Sequence, residues 1–426
     1  DSGSDRRPSV AVGHDGALLV AWQTNDALHS YGTDNDVVYS TSNDGGATWQ
    51  TPLLVHWYGR SDNVADGDDT RPKALARGDG SFVVMWQSTA DPFEEGYTRS
   101  RIYQSTGEPP AITWEGPVPV TTSVSADNME MGNTDQSPVV VASPNGTLFT
   151  LYTSNVDVFG SGGADTDLFG ARSTDGGTTW TGPINVSGGM SVIANNEGVP
   201  DLATTGAGRW RAVYQIEGFD TVTSVYSAVS DDDGLTWESS IQLAFEGGET
   251  IRAFNPRVAA DTDNDNTYIF VHEQEEDDSD IWITRIQEDP ETGDLTTFNK
   301  VVAASYMSTD SNFDTTPDIA TDGEDTWVIT WVSDFDVTGN AGTEPDLYFI
   351  RSVDDGLTWS LPAPFSSFDV ATDNLESRPR LAYGGGTWAV TWTQVSANDG
   401  SSNIWCRASE DNAETWTDLS PLIVNR

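Results

Sequence analysis

Residues 42–49 read Ser-Asn-Asp-Gly-Gly-Ala-Thr-Trp, a run of small and polar residues that ends in an aromatic ring. The pattern Ser-x-Asp-x-Gly-x-Thr-Trp returns at residues 173–180, 230–237 and 352–359. A fifth copy at 409–416 has Ala413 in place of the glycine. An aspartate at this spacing can accept hydrogen bonds from N–H groups of its own turn, and a glycine permits a positive φ. Each copy therefore predicts a tight turn between two strands, with the tryptophan packed between neighbouring sheets.

The turn motif is part of a longer unit that occurs seven times along the chain. Each unit opens with a proline before a short β-prone run, and these prolines are Pro8, Pro72, Pro138, Pro200, Pro256, Pro317 and Pro379. Successive prolines are 64, 66, 62, 56, 61 and 62 residues apart. An aromatic residue after threonine is a second marker with similar spacing, at Trp49, Trp114, Trp180, Trp237, Phe298, Trp359 and Trp416. Two independent markers therefore predict seven tandem copies of one structural unit.

Each unit reads as four short strands separated by turns rich in Gly, Asp and Asn, and a helical period is absent. This predicts an all-β fold, a seven-bladed β-propeller with four antiparallel strands per blade and the motif turns on one face. All four strands of a blade come from one unit, so we expect the ring to close by packing between blades 7 and 1. The single domain covers residues 1–426, with blades at roughly 5–60, 69–125, 135–190, 197–245, 253–305, 314–368 and 376–426.

The composition excludes several classes of protein. The 426 residues include 20 Lys+Arg and 67 Asp+Glu, a formal net charge of −47, and the lysines are Lys73 and Lys300 alone. Such a chain repels phosphate backbones and anionic bilayers, and no apolar run is long enough to insert into a membrane. The single cysteine, Cys406, rules out an intramolecular disulfide framework. Nothing indicates an organic cofactor, and the oligomeric state stays open.

The excess of acid over lysine also bears on the environment of the protein. High salt screens self-repulsion between like charges, and acid-rich, lysine-poor sequences are typical of proteins that work there. We therefore expect an extracellular or cell-surface protein from a high-salt environment. An ordinary acidic secreted protein that binds divalent cations is the alternative.

Three arginines precede the unit-opening prolines and should meet in space. Arg7, Arg71 and Arg378 belong to units 1, 2 and 7, which become neighbours when the ring closes. Guanidinium groups offer forked donors that suit a carboxylate or sulfate, so the pattern predicts an anion-binding pocket at the axis. The alternative is that each arginine pairs with an acid of a neighbouring blade and staples the ring. Three residues before the prolines, six of seven units carry an acid, which predicts a ring of carboxylates at the mouth: Asp5, Asp69, Asp135, Glu197, Asp314 and Glu376.

The repeated turn is the Asp-box, and over nearly its whole length the chain resembles the sialidase/neuraminidase-like Asp-box (BNR-repeat) propellers. The resemblance implies that the Asp-boxes are structural and lie on the face opposite the active site. It also implies a glycosidase that holds a substrate carboxylate with three arginines, with a Tyr–Glu nucleophile pair and an Asp acid/base. Sialidases have six blades, whereas this sequence predicts seven.

Several residues match the family's functional positions. Arg7-Pro8 is similar to the family's first-blade step, and Arg252 could supply another arginine of the triad. Asn196-Glu197 resembles the family's Asn-Glu step, which makes Glu197 the candidate partner of the nucleophile. The acid/base would be Asp26 or Asp34, in the first-blade loop. Where the nucleophilic tyrosine is expected, the sequence reads Phe313-Asp314, a departure that leaves the nucleophile unassigned.

Two further stretches are candidate binding sites. The aromatic run His56, Trp57 and Tyr58, in the connection from blade 1 to blade 2, could stack on sugar rings or simply pack its own loop. Asp261, Asp263 and Asp265 match the opening of an oxygen-donor Ca²⁺ loop, and a solvated acidic turn is the alternative.

The sequence therefore supports two functions. One is a carbohydrate-active enzyme, a glycoside hydrolase of the sialidase type or a polysaccharide lyase, that acts on an anionic glycan at the arginine-bearing face. The other is a non-catalytic propeller for glycan recognition, adhesion or cell-surface structure. In either case the expected partner is an anionic or neutral glycan.

Overall fold

The computed structural model describes most of the chain, with gaps between the described ranges. These ranges are 4–25, 34–56, 67–90, 100–108, 113–121, 134–156, 165–188, 196–217, 223–238, 241–243, 252–262, 266–275, 279–288, 295–302, 313–334, 345–365, 374–417 and 420–421. Within these ranges the chain forms strands and turns, and no helix there is long and apolar enough to cross a bilayer.

The strands of the first four blades follow one another along the chain. They are β1 (Asp5–Val12), β2 (Leu18–Thr24), β3 (Asp36–Ser42), β4 (Leu53–Leu54), β5 (Asp69–Ala76), β6 (Phe82–Ser88), β7 (Arg101–Gly107), β8 (Trp114–Pro119), β9 (Asp135–Ala142), β10 (Leu148–Ser154), β11 (Asp167–Ser173), β12 (Thr181–Asn185), β13 (Asn196–Gly206), β14 (Arg209–Glu217), β15 (Thr223–Ser230) and β16 (Ile241–Gln242). The last three blades comprise β17 (Arg252–Ala260), β18 (Thr267–Glu275), β19 (Ser279–Glu288), β20 (Leu295–Val302), β21 (Asp314–Thr321), β22 (Trp327–Ser333), β23 (Asp346–Ser352), β24 (Ala363–Pro364), β25 (Leu375–Gly384), β26 (Thr387–Val395), β27 (Ser402–Ser409) and β28 (Ser420–Pro421).

The described strands form seven sheets of four, and each sheet takes its strands from one repeat in sequence order. Every pairing within a sheet is antiparallel, as between β1 and β2 and between β2 and β3. The predicted seven-bladed propeller is therefore confirmed. Because neighbouring strands alternate in direction, the start of each first strand opens on one face and the Asp-box turns open on the other.

The apolar core lies between blades rather than inside any one of them. One cluster joins blades 1 and 2 through Leu19, Val37, Val84 and Trp86, and similar clusters occupy the interfaces that follow around the ring. A four-stranded sheet has two apolar faces, so each blade requires a neighbour on both sides.

The ring closes by packing between blades 7 and 1, as the sequence predicts. Val10, Val20 and Trp22 of blade 1 pack with Ile404 and Cys406 of blade 7 in one buried cluster. An isolated parallel bridge joins Ser4 to Ser402, whose hydroxyl oxygens are 2.9 Å apart.

The Asp-box turns are structural, and their hydrogen bonds explain their sequence. The carboxylate of Asp44 accepts from the Thr48 N–H at 2.8 Å and from the Ser42 hydroxyl at 2.7 Å. The Gly46 N–H, in turn, donates to the Ser42 hydroxyl at 2.9 Å. Hydrogen bonds from Thr48 and Ser42 lower the pKa of Asp44, so the carboxylate is ionised and serves its own turn.

Candidate functional site

The residue before each unit-opening proline adopts the left-handed conformation in all seven blades. The φ values are 54° at Arg7, 56° at Arg71, 55° at Ser137, 46° at Val199, 46° at Asn255, 52° at Thr316 and 56° at Arg378. Non-glycine residues rarely adopt positive φ, and the β-branched Val199 and Thr316 do so at the greatest cost. A conformation that unfavourable persists only where the surrounding structure holds it in place.

Strand pairing and hydrogen bonds from the preceding blade hold this conformation. The first strand of every blade has a register shift at the proline, for example between Arg6 and Ser9 in β1. The Gln23 side chain of blade 1 accepts from the Arg71 N–H of blade 2 at 3.3 Å, and Gln215 accepts from the Asn255 N–H at 3.2 Å. The bulge turns the side chain before the proline toward the axis.

These side chains surround a cavity of about 450 Å³ at the axis. Its described lining contains cations, small polar groups and prolines, with no carboxylate, histidine or tyrosine: Arg7, Pro8, Arg71, Pro72, Lys73, Ser137, Pro138, Val139, Val199, Pro200, Asn255, Arg257, Thr316, Ser377, Arg378 and Arg380. Blades 7, 1 and 2 contribute arginines to the mouth, whereas blades 3 to 6 contribute neutral residues. The mouth of the cavity therefore has a cationic half and a neutral half.

Arg7, Arg71 and Arg378 lie around this one cavity, as their spacing in sequence predicts. Burial, then Arg71 and Arg378, lowers the pKa of Arg7 to about 10, so the Arg7 side chain remains cationic at neutral pH. Burial also lowers the pKa of Arg71 and of Arg378. Arg71 donates to the Ser137 hydroxyl at 2.7 Å. Within the described part of the chain, none of the three forms an ion pair with an acid. The stapling alternative therefore finds no support at these positions.

A second layer of side chains, most of them charged, lies deeper, beneath the mouth of the cavity. It is formed by the residue that follows each unit-opening proline. These residues are Ser9, Lys73, Val139, Asp201, Arg257, Asp318 and Arg380. Burial, then Arg380 and Arg257, lowers the pKa of Lys73 to about 7. Sequence analysis missed this layer, although the same alignment read one residue further along displays it.

The deeper layer also joins neighbouring blades, in addition to the bond from Arg71 to Ser137 at the mouth. The Ser9 hydroxyl accepts from the Ala74 N–H of the next blade at 3.0 Å. Asp201 accepts from the Val258 N–H at 3.0 Å, and Asp318 accepts from the Leu381 N–H at 2.7 Å. The Arg257 Nε lies 3.4 Å from an Asp318 oxygen. These contacts join neighbouring blades beneath the mouth and fix its width.

The predicted ring of carboxylates at the mouth is corrected by the structure. Asp5 and Asp69 are buried and accept from the indole N–H groups of Trp22 and Trp86 at 3.2 and 3.1 Å. In a regular strand, residues one and three before the proline would face the same side. The left-handed residue breaks that alternation, so the arginines face the axis while the acids face the blade interfaces.

Glu197 is placed inside a blade interface, away from the cavity. Its carboxylate is 2% exposed and accepts from the Leu168 N–H at 3.0 Å. Burial, reinforced by Asp167, raises the pKa of Glu197 to about 8. The described contacts therefore explain its unusual pKa by packing and give it no route to a ligand in the cavity.

Arg252 and Asp34 also lie outside the described cavity lining. Arg252 is 46% exposed and pairs with Glu275 at 3.0 Å. Asp34 is half-buried two residues before β3, and Asp26 lies outside the described residues. The catalytic roles of Asp26, Asp34 and Glu197 stay predictions.

The aromatic run and the acidic loop are only partly described. His56 is buried, and its ring stacks on Trp86 with centroids 5.1 Å apart, so this residue is not open to a sugar. Trp57 and Tyr58 lie outside the described residues, as do Asp263 and Asp265. Asp261 is 1% exposed, and the Ca²⁺ loop stays a prediction.

Comparison with known proteins agrees with the propeller fold. Residues 80–271 match the family described as the BNR repeat-like domain. No curated protein sequence matches the chain. Among solved structures, a polysaccharide lyase of family PL25, an ulvan lyase bound to -[GlcA(1-4)Rha3S]-, is 12% identical over 94% of each chain, with a TM-score of 0.55. The α-L-arabinofuranosidase Arb93A from Fusarium graminearum is 15% identical over 77% of this chain and 88% of that chain, with a TM-score of 0.50.

The Hadza microbial sialidase Hz136 is 14% identical over 91% of this chain, with a TM-score of 0.48, and the match spans 63% of the sialidase. Identities this low show the fold alone. Fold and repeats together define a seven-bladed β-propeller with Asp-box turns. The match to the BNR repeat-like domain over residues 80–271 agrees with the resemblance that the Asp-boxes predict.

Proposed function

We propose that this protein is a carbohydrate-active propeller that binds an acidic glycan in its axial cavity, with Arg7, Arg71 and Arg378 holding a carboxylate or sulfate group. The observation that carries the proposal is the convergence of three arginines, none in a described ion pair, on one cavity. Guanidinium groups without an acid partner are available to bind a ligand anion with paired hydrogen bonds.

The charge of the cavity supports this proposal. Arg257 and Arg380 add two cations beneath the mouth, and Lys73, whose pKa is lowered to about 7, adds part of a third at neutral pH. Asp201 and Asp318 are the acids of this layer, and burial raises the pKa of Asp201. The rest of the chain is strongly acidic, with a net charge of −47 overall. An anionic ligand is therefore attracted to the axis and repelled elsewhere, which directs it to one place on the surface.

The neutral half of the mouth suits the uncharged part of the same ligand. Ser137, Asn255 and Thr316 carry hydroxyl or amide groups that can bond sugar hydroxyls. The size of the cavity lies within the usual range for small-molecule sites. Several structural neighbours are named as glycan-acting enzymes, and this supports a carbohydrate as the ligand.

A second candidate function is glycan recognition without catalysis. The described lining holds no pair of carboxylates, which glycoside hydrolysis ordinarily requires. Product analysis after incubation with sialosides, uronic-acid oligomers and sulfated oligosaccharides separates the two functions. New reducing ends or unsaturated products support an enzyme, whereas binding without turnover supports recognition alone.

The experiment that tests the binding site is calorimetric titration of wild type and Arg71→Ala with the same acidic oligosaccharides. We expect the substitution to weaken binding by about 10- to 100-fold, since hydrogen bonds to a charged partner contribute about 1.5–3 kcal/mol. A neutral oligosaccharide of equal length serves as the ligand control.

Arg252→Ala is the matched protein control, because Arg252 is an exposed arginine on the same face that lies outside the cavity lining. It makes the same change in net charge and should leave affinity within about twofold. Equal affinities for the two variants, with a lower melting temperature for Arg71→Ala alone, would show that Arg71 stabilises the ring and does not bind the ligand.

A further inference from the structure

We propose that Asp36, His56 and Asp69 form a buried site for one divalent transition-metal ion of the Zn²⁺ type at the interface of blades 1 and 2. We call these three residues the inter-blade triad. Asp36 opens β3, His56 follows β4, and Asp69 opens β5 of the next blade.

The donor atoms of the inter-blade triad are close enough to share one ion. One ligand atom from each residue lies within 4.8 Å of the others, and all three residues are buried. The closest pair is His56 Nε2 and Asp69 Oδ2, at 2.7 Å. Ligands of one tetrahedral Zn²⁺, each about 2.0–2.2 Å from the metal, lie about 3–3.5 Å apart. A small outward shift of these side chains would therefore accommodate the ion.

Neighbouring groups orient two of the three ligands. The indole N–H of Trp86 donates to Asp69 Oδ1 at 3.1 Å, which directs Oδ2 toward His56. The His56 ring stacks on the Trp86 ring at an interplanar angle of 20°. Metal sites in proteins commonly have an outer layer of this kind, which fixes ligand orientation before the ion binds.

A dication would balance the charge of the two buried carboxylates in the inter-blade triad. Two carboxylates buried together need compensating charge, and an imidazolium supplies only one positive charge. The corresponding place between blades 3 and 4 has Asp167 and Glu197 with Ser187 instead of histidine, and there the pKa of Glu197 is raised to about 8 by burial and by Asp167. That interface neutralises its excess charge by proton uptake. Between blades 1 and 2, His56 offers a nitrogen donor, and a dication would neutralise both carboxylates.

The donor set selects the class of metal. One imidazole and two carboxylates suit Zn²⁺ or Mn²⁺, whereas Ca²⁺ and Mg²⁺ prefer oxygen donors alone. The ion would tie blade 1 to blade 2 through Asp69 of β5. Arg71 lies on the same strand, two residues after Asp69. Its role is structural, and it is independent of any ligand in the axial cavity.

The test uses protein that has been treated with chelator and dialysed. Calorimetric titration with ZnCl₂ measures binding, and thermal unfolding with and without the metal measures stability. Wild type should bind one Zn²⁺ per chain and melt at a higher temperature with the metal than without it. His56→Ala should weaken Zn²⁺ binding by at least about 10-fold and abolish the shift in melting temperature. His14→Ala, which removes an exposed histidine, is the matched control and should behave as wild type.

Three results would overturn the proposal. Equal Zn²⁺ uptake by His56→Ala and His14→Ala would assign the ion to surface carboxylates, and no uptake by wild type would leave the inter-blade triad as a hydrogen-bonded cluster. Should His56→Ala fail to fold, Asp36→Asn changes the charge with little change of shape. Its Co²⁺ absorption spectrum should then differ from that of wild type, and identical spectra would contradict the site. None of these measurements uses a glycan, so their failure is distinct from failure of the proposed function.

Discussion

At the scale of single residues, conformation decides which side chains face the axis. The seven residues that precede the prolines share positive φ values, and three of them are arginines. Their backbone is held by the preceding blade, as in the bond from the Ser137 N–H to Gln87 at 3.4 Å. The same bulge sends the acids two residues earlier into the blade interfaces. A shared conformation therefore separates the arginines of the mouth from the carboxylates of the blade interfaces.

Glu197 gives a prediction at this scale. Its folded-state pKa, about 8, lies above the ordinary value of 4.5, so the folded protein holds the proton more tightly than the unfolded chain does. The resulting stability is complete below about pH 4.5 and is lost as the pH rises through 8. Glu197→Gln mimics the protonated side chain, so its melting temperature should exceed that of wild type by a growing margin between pH 5 and pH 9.

Thermal unfolding at several pH values in this range measures that margin. The control is Glu275→Gln, which changes an exposed glutamate and should give a curve parallel to that of wild type. A constant difference between Glu197→Gln and wild type at every pH would refute the assignment of the raised pKa.

At the scale of elements, the Asp-box turn makes two kinds of hydrogen bond. One kind lies within the turn, and the other joins the turn to the preceding blade. Its carboxylate and hydroxyl groups satisfy the turn internally, as Asp175 does by accepting from the Thr179 N–H at 2.9 Å. The same turn offers its backbone to the neighbouring blade, since the Gln104 side chain donates to the Gly177 carbonyl at 2.6 Å. This second contact explains why the turns matter for the ring and not only for the hairpin.

Two glycine substitutions separate the cost of backbone strain from the loss of the inter-blade contact. Gly146 lies in the turn between β9 and β10, and Gly177 lies in an Asp-box turn. Gly146 and Gly177 have φ values of 88° and 90°, but an added Cβ meets nothing at Gly146 and collides with Gln104 at Gly177. Gly146→Ala should cost about 1–2 kcal/mol of unfolding free energy from backbone strain alone. Gly177→Ala should cost about 1–3 kcal/mol more, because the buried Gln104 loses its hydrogen bond. Urea unfolding measures both, and equal losses would contradict the inter-blade role.

At the scale of the whole molecule, ring closure and charge act together. Seven interfaces bury the apolar faces, and a net charge of −47 opposes the compact state by self-repulsion. The axial cavity has the opposite sign to the surface around it. Salt should therefore have opposite effects on folding and on binding.

We predict that the melting temperature rises as NaCl increases from 0.1 to 2 M, because the Debye length falls from about 10 Å to about 3 Å or less and screens the surface acids. Over the same range the affinity for an acidic oligosaccharide should fall. Parallel thermal unfolding and calorimetry measure both, with the neutral oligosaccharide as control. A melting temperature that does not change with salt would argue against adaptation to a high-salt environment.

The fold follows from local sequence. Prolines and Asp-box turns at a constant spacing predicted seven four-stranded blades, because turn chemistry and strand alternation act over a few residues and need no knowledge of distant parts. The meeting of Arg7, Arg71 and Arg378 also followed, since closure of a sevenfold ring makes the first and last repeats neighbours. These features depend only on order along the chain.

The direction of side chains depended on tertiary contacts. A strand pattern alone placed the acids beside the arginines at the mouth, whereas the bulge at the proline, held by the neighbouring blade, turned them apart. The same contacts buried Glu197, brought Lys73 beneath the mouth, and assembled Asp36, His56 and Asp69 from two blades. The residues of each grouping are distant in sequence and share no local pattern. Only the packing of one blade against the next brings them together.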